Sequence, residues 1–235
     1  METISNINIG TYNERFDLTT PHKFDVKDIV SPNEFSNALK DFNVCTASSN
    51  NPTKLDGNII YSNYRKCSTN RVIFHDVKKD TSIASVITKL IPLPKWRFVP
   101  EDIKDLRISR LYAGKALSGT NIHSHTRAFN YLVEGKKKWI MFPSNEHNRR
   151  ALNSLNWNYG SIKENTLEWY NKNIDVLDNN ITELQIYIQN EKEVFYIPGG
   201  YYHAVINIED SYGITYSMKK PLRRMKKKTA RSSSG

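Results

Sequence analysis

The chain has 235 residues and a mass of 27.2 kDa, and 38% of its residues are hydrophobic, so it is long enough to bury one sizeable core. It has no run of eighteen or more apolar residues, and its first residues lack the basic start and the apolar stretch of a secretory signal. We therefore expect no membrane segment and an intracellular location, either cytoplasmic or nuclear.

The net charge of +10 comes mainly from the C-terminus, because eight Lys and Arg and no acidic residue lie between Lys219 and Arg231. A tail of this charge can attract nucleic acid or an acidic protein. It can equally be a disordered terminus that only keeps the protein dissolved. We predict that residues 219–235 are a basic, disordered tail, and that residues 219–231 are its candidate contact with nucleic acid or an acidic partner.

Residues 1–91 predict a supporting region of helices and strands. The segment "SPNEFSNALKDFN" begins with Ser31 and Glu34 at the spacing of a capping box, which predicts a helix. The segment "RVIFHDV" (71–77) is typical of a strand, and "TSIASVITKLI" (81–91) is apolar at helical spacing until two prolines follow it.

From Arg107 onward the sequence consists of short strand-like runs that are separated by Gly, Pro and polar turns. This pattern favours a β-sandwich or β-barrel over residues 92–218. Residues 145–190 differ, because they are rich in Asn, Glu, Trp and Tyr, and "SNEHNRRALNSLNW" and "ITELQIYIQN" are compatible with short helices. We predict that this segment is a helical insertion over one mouth of the barrel.

Three of the six histidines fall at the ends of predicted strands. If "NIHSH" is a strand, His123 and His125 project from the same face, because side chains alternate along a strand. Two imidazoles at this spacing can share one metal ion, although such a pair is also common on ordinary strand surfaces. His203 begins a later strand, directly after the turn "PGGYY".

The order of these motifs resembles the JmjC family and its cupin-like relatives, which are Fe(II)- and 2-oxoglutarate-dependent oxygenases. The resemblance rests on "GTNIHSH", "NYLVEGKKKWIMFP" and "EVFYIPGGYYHAVINIEDSYGIT" and extends over about residues 92–218, roughly half of the chain. It implies a mainly β fold with α-helices: a double-stranded β-helix, or cupin-like jelly roll, with N-terminal helices and a helical insertion. It also implies Fe(II), or another divalent metal, and 2-oxoglutarate as cosubstrate.

Residue by residue, the resemblance assigns the metal to His123, His125 and His203. Thr120 matches the position whose hydroxyl contacts 2-oxoglutarate in relatives, and Lys137, in the pattern Gly-x-Lys-x-Trp, matches the lysine that binds its distal carboxylate. Further polar residues that the resemblance places around the cosubstrate are Tyr112, Asn130, Asn207 and Thr215. No catalytic residue is implied beyond the metal site.

His125 is a departure from the family pattern, which has Asp or Glu at this position. Three neutral imidazoles leave a bound metal one charge more positive than two imidazoles and a carboxylate, and they also suit copper, zinc and nickel. Three interpretations stay open: a 2-oxoglutarate oxygenase that tolerates a third histidine, a three-histidine cupin enzyme that does not use 2-oxoglutarate, and a catalytically silent binding module.

For the first interpretation, the resemblance implies a protein substrate, with hydroxylation of a side chain favoured over demethylation of a lysine. It does not name the substrate, because specificity in such folds resides in the loops. A homodimer is common in the family, and the sequence leaves this point open.

Overall fold

The protein is described by a computed structural model at residues 19–25, 30–48, 51–60, 72–77, 81–91, 106–155 and 166–218. The predicted basic tail, 219–235, and the residues that lead into the predicted β domain, 92–105, lie outside the described residues. Within the described residues, no helix is both long enough and apolar enough to cross a membrane.

Twelve strands and four helices lie within the described residues. In chain order they are β1 (His22–Asp25), α1 (Pro32–Leu39), β2 (Asn43–Ser48), β3 (Asn51–Ile60), β4 (Ile73–Asp76), α2 (Thr81–Leu90), β5 (Leu106–Gly114), β6 (Gly119–Ser124), β7 (Ala128–Glu134), β8 (Lys136–Pro143), α3 (Glu146–Ser154), α4 (Thr166–Asn180), β9 (Gln185–Asn190), β10 (Glu193–Ile197), β11 (Tyr201–Asn207) and β12 (Ser211–Met218).

The strands form two antiparallel sheets. The larger has the order β1-β10-β7-β12-β5-β4-β2-β3, and the smaller has the order β6-β11-β8-β9. From β5 to β12 the chain passes back and forth between the sheets, so that β5, β7, β10 and β12 lie in one and β6, β8, β9 and β11 in the other. This is the double-stranded β-helix that the sequence predicted. Strands β1 to β4, from the first 91 residues, extend the larger sheet.

Three hydrophobic clusters show how the layers pack. The first joins α1 and α2 to the outer face of the larger sheet, the second joins α3 and α4 to the outer face of the smaller sheet, and the third fills the space between the sheets. Representative members are Phe35, Ile83 and Tyr131 in the first, Leu152, Trp169 and Ile140 in the second, and Trp139, Phe195 and Val205 in the third. The interior between the sheets therefore has two covered walls.

Several local predictions are confirmed. Helix α1 begins with the predicted capping box, in which the Ser31 side chain accepts a hydrogen bond from the Glu34 backbone and the Glu34 carboxylate accepts one from the Ser31 backbone. Helices α2 and α3 and the predicted strand around residues 73–76 are also present.

One interpretation within the predicted insertion is wrong, and one helix was missed. The segment "ITELQIYIQN" is compatible with a short helix, but its second half is strand β9, which pairs with β8 from Gln185 opposite Met141 to Asn190 opposite Lys136. The long helix of the insertion is instead α4, which the sequence reading missed. Pairing to β8 satisfies the backbone of β9 and buries Tyr187 and Gln189, and this outweighs the local helix preference of Gln, Glu and Leu.

Gly213, in β12, leaves room for a tyrosine inside the barrel. A Cβ at this position would overlap the carbonyl oxygen of Tyr131 and the hydroxyl of Tyr112. The Tyr112 hydroxyl can therefore lie against β12 and donate to the Tyr131 carbonyl, 3.0 Å away. A side chain at residue 213 would displace Tyr112.

We expect Gly213→Ala to lower the free energy of unfolding by about 1–3 kcal/mol, the usual cost of overpacking. Urea denaturation followed by circular dichroism measures the change. Gly199→Ala is the matched control, because a Cβ there would have its nearest neighbours 3.6 Å away. Equal stability of the two variants would show that the packing around Gly213 is not tight.

Candidate metal centre and cosubstrate cavity

Three histidine side chains meet at one end of the space between the sheets. His123 lies near the end of β6, His125 follows that strand, and His203 lies on β11 directly opposite His123. The ring centroids are 4.2 Å apart for His123 and His203, 4.6 Å for His125 and His203, and 5.5 Å for His123 and His125. The structure therefore brings together the three histidines that the sequence singled out, although β6 ends at Ser124, before His125.

A β-bulge in β6 sets which residues face this cluster. Between the pairs His203–His123 and Val205–Thr120, strand β11 has one residue and β6 has two, Asn121 and Ile122. In a regular strand Thr120 and His123, three residues apart, would project from opposite faces. Because of the extra residue, Thr120 lies on the same face as His123, and its hydroxyl makes no hydrogen bond to another described residue.

Backbone carbonyls fix the orientation of two of the rings. His123 Nδ1 lies 2.7 Å from the Asn121 carbonyl oxygen, and His125 Nδ1 makes a short contact with the Thr126 carbonyl oxygen. A carbonyl only accepts hydrogen bonds, so each Nδ1 carries the proton and donates it. This leaves the Nε2 lone pair of each ring available to a metal, which is the usual arrangement of histidine ligands.

Burial favours the neutral form of two of the three histidines, His123 and His203. Removal from solvent, together with the nearby His125, lowers the pKa of His123 to about 4. Burial, with His123 and His125 as further causes, lowers the pKa of His203 well below its usual range. The Arg110 guanidinium, which lies 5.3 Å from the centre of the Phe74 ring, adds a positive charge that also lowers the pKa of His123.

The donor set fits a single transition-metal ion. One nitrogen from each of the three histidines lies within 4.8 Å of the others, and within the described residues this cluster contains no carboxylate. Two nitrogens bound to one ion at about 2.1 Å are at most about 4.2 Å apart, so a small inward movement is enough to coordinate a metal. His203 Nδ1 is buried and has no hydrogen-bond partner of ordinary geometry among the described residues, so no such bond fixes the orientation of this ring. Imidazole nitrogens suit iron, zinc, copper and nickel.

Lys137 lies inside the barrel on β8. It is at the opposite end of the β8–β11 pair from His203. Its side chain is 4% exposed, and its Nζ lies 3.4 Å from the centre of the Tyr112 ring. Burial lowers the pKa of Lys137 well below its usual range. Within the described residues, this ring contact is its only polar or charged interaction. Lys138, the next residue, instead lies 5.3 Å from the centre of the Tyr170 ring on the outer face, because side chains alternate along a strand.

The remaining predicted cavity residues form two polar groups around Lys137. Tyr112 donates to the side-chain oxygen of Asn130 at 2.8 Å, and the Asn130 amide donates to the Thr215 hydroxyl at 3.4 Å. Asn207 lies opposite Lys137 in the β8–β11 pairing, and its amide nitrogen donates to the Ser118 hydroxyl at 3.0 Å. The buried side-chain oxygen of Asn207 has no hydrogen-bond partner, so it can accept a hydrogen bond from a group in the cavity.

The sequence reading missed three residues near the site: Arg110, Ser118 and Asn121. Arg110 precedes the predicted Tyr112 by two positions on β5, so strand alternation could have placed it on the same face. Ser118 and Asn121 carried no such signal, because their roles depend on the turn before β6 and on the bulge within it.

The residues of this site lie within a segment that matches a known family. Residues 110–217 match the family described as JmjC domain, hydroxylase, and this range includes every candidate metal and cavity residue named above. A segment of 106 residues is also 31% identical to the protein named arginine-specific demethylase JMJ22 of Arabidopsis thaliana. This similarity covers 43% of the present chain and 21% of the plant protein, so the chain spans about a fifth of the length of that relative.

Two solved structures of the Escherichia coli protein YcfD are also similar, each with 14% sequence identity and a TM-score of 0.49. Each similarity covers 89% of the present chain and about half of the other one, 52% and 51% respectively. One is described as a ribosomal oxygenase in complex with cobalt and succinic acid. Residues 110–217, which supply most of the double-stranded β-helix, thus match the JmjC hydroxylase family in sequence.

Proposed function

We propose that this domain is an Fe(II)- and 2-oxoglutarate-dependent oxygenase that hydroxylates a protein side chain. The observation that carries the proposal is the buried amino group of Lys137, which has no anionic partner within the described residues. Burial of a charge is costly unless the charge is paired. A carboxylate of 2-oxoglutarate would pair with the protonated Lys137 side chain. The charged hydrogen bond between them would offset the cost of burying Lys137.

The arrangement along the strands supports the same cosubstrate. On β11, Asn207 beside Lys137 and His203 beside the metal cluster are four residues apart, which is about 13 Å along a strand. An extended lysine side chain and a keto diacid together can cover this distance. We assign the distal carboxylate to Lys137, and the keto-acid end to the histidines and to the Thr120 hydroxyl.

His123, His125 and His203 would hold the metal through one nitrogen each. Bound Fe(II) would supply the activation of dioxygen that couples the oxidation of 2-oxoglutarate to that of the substrate. The protein contributes orientation and shielding: Trp139, Phe195 and Val205 belong to the buried hydrophobic cluster between the sheets and would shield the site from water. No residue is needed as a general base or nucleophile.

The proposed substrate class is a protein side chain. The plant relative is named as an arginine-specific demethylase, and removal of an N-methyl group can proceed through hydroxylation of its carbon. Because hydroxylation is the chemical step that both reactions share, we place hydroxylation of a side chain first and demethylation of a lysine or arginine second. Mass spectrometry of candidate proteins after incubation with the enzyme distinguishes the two, because the first product gains an oxygen atom and the second loses a methyl group.

His125 favours a second candidate function, a three-histidine enzyme that does not use 2-oxoglutarate. With no carboxylate among the described residues of the cluster, a bound divalent metal keeps its full charge and can bind an anionic substrate directly. A catalytically silent binding module is the third option. Both alternatives leave the buried Lys137 without a partner, and for this reason we rank them below the oxygenase.

The metal assignment predicts that His203→Ala weakens Co(II) binding more than about 100-fold, since removal of even an outer partner of a ligand costs 10–100-fold. Co(II) replaces air-sensitive Fe(II), and its visible absorption reports binding. His147→Ala is the control, because His147 hydrogen-bonds to the Asn180 carbonyl of helix α4 and is not part of the cluster. Unchanged Co(II) affinity in a folded His203→Ala variant would refute the assignment.

The cosubstrate assignment predicts that Lys137→Met weakens 2-oxoglutarate binding to the Co(II)-loaded protein about 10–100-fold, the value of a charged hydrogen bond. Isothermal titration calorimetry measures the affinity. Lys138→Met is the matched control, because it removes the same charge from the outer face of the same strand. An equal effect of both variants would mean that Lys137 does not bind the cosubstrate.

A further inference from the structure

The first residue of helix α4 lies directly against the strand that carries His123. The Thr166 hydroxyl donates a hydrogen bond to the side-chain oxygen of Asn121 at 2.8 Å, and Thr166 is 3% exposed. Gly119, in the same strand, permits this approach, because a Cβ there would lie 2.9 Å from the Cβ of Thr166. The insertion therefore contacts β6 through a buried, specific hydrogen bond.

Asn121 links this contact to the metal centre. Its backbone carbonyl accepts the Nδ1 proton of His123 at 2.7 Å, while its side-chain oxygen accepts the Thr166 hydroxyl. Asn121 is also one of the two residues of the bulge that oppose a single residue of β11. The regular pairing of strands fixes the peptide orientation less firmly at a bulge than elsewhere, so a side-chain anchor is needed there.

We propose that Thr166 and Asn121 are positioning residues that hold the imidazole of His123 in place through the bulge, and so connect the insertion to the metal centre. The Thr166 hydrogen bond fixes the Asn121 side chain, the fixed residue aims its carbonyl at His123 Nδ1, and this holds the Nε2 of the ring toward His125 and His203. The inference rests on the proposed function, because the ring is held for a metal.

The chain provides a matched control for the key hydrogen bond. Thr182 also donates its hydroxyl to an asparagine side-chain oxygen, that of Asn148, at 3.1 Å. This second pair ties α3 to the segment after α4 and touches no residue of the metal cluster. Thr166→Val and Thr182→Val thus make the same chemical change in the same part of the fold, and only the first interrupts the path to His123.

The first test is Co(II) binding, followed by visible absorption without 2-oxoglutarate. We expect Thr166→Val to weaken Co(II) binding roughly tenfold, the lower end of the effect of losing a partner of a metal ligand, and to change the shape of the cobalt spectrum. Thr166→Ser, which keeps the hydroxyl, and Thr182→Val should both resemble the wild type. Asn121→Ala should reproduce Thr166→Val and serves as a second variant. Equal Co(II) affinity and spectra for Thr166→Val and Thr182→Val would overturn the inference.

The second test uses the metal-free protein, and so separates this inference from the proposed function. In ¹⁵N NMR spectra at neutral pH, His123 should be protonated at Nδ1 and its proton should be protected from exchange with solvent in the wild type and in Thr182→Val. Thr166→Val should lose this protection. If the wild type does not bind Co(II) but shows this pattern, the proposed metal function fails and the positioning role stands. If Thr166→Val keeps the protected proton, the positioning role fails.

Discussion

The buried amino group of Lys137 is the constraint on which the arrangement of the barrel interior depends. The group lies against the face of Tyr112, which is a favourable but partial replacement for water. Burial lowers the pKa of Lys137 below its value in the unfolded chain. The unfolded chain therefore binds a proton more readily than the folded one, so burial of this residue costs stability at neutral pH. The cost starts to fall as the pH rises past the lowered pKa and disappears only above the ordinary pKa of lysine. An anion bound beside Lys137 would offset this cost. The unsatisfied side-chain oxygen of Asn207 is an acceptor, so it can accept a hydrogen bond from a donor in the cavity.

The two ends of the site are held by the same pair of strands. β8 and β11 pair from Tyr201 opposite Pro143 to Asn207 opposite Lys137, so one ladder fixes both the position of His203 and that of the lysine. The third strand, β6, is adjusted by its bulge so that Thr120 and His123 face the same interior. The insertion closes the outer side of this sheet, and through Thr166 it reaches the residue that holds the His123 ring. The spacing between the histidine cluster and Lys137 thus depends on backbone pairing, whereas the orientation of the histidine rings depends on a few side-chain and carbonyl contacts.

Much of the site could be predicted from the sequence, because it depends on local patterns. The family resemblance placed Lys137 inside, and alternation along "GKKKW" then puts Lys138 outside. The spacing of His123 and His125 and the turn before His203 pointed to the three histidines. The bulge could not be predicted, since it is defined by how β6 pairs with β11, some eighty residues away. Strand β9 was read as part of a short helix because Leu184 before it and its own Gln residues are compatible with a helix, and only pairing with β8 decides between the two structures. For the same reason no local motif indicates the hydrogen bond between Thr166 and Asn121, because the two residues are 45 positions apart in sequence.

The central claim is that a site with three histidines and a buried lysine binds 2-oxoglutarate at the metal, although His125 stands where relatives have a carboxylate. The most direct measurement is an anaerobic titration of the Fe(II)-loaded protein with 2-oxoglutarate, monitored by visible absorption for the charge-transfer band of a keto acid that chelates Fe(II). We expect the band to grow and to saturate at one equivalent of bound cosubstrate per iron. If iron binds and no band forms at saturating 2-oxoglutarate, the oxygenase account is contradicted, and the domain is a three-histidine metal site of another kind.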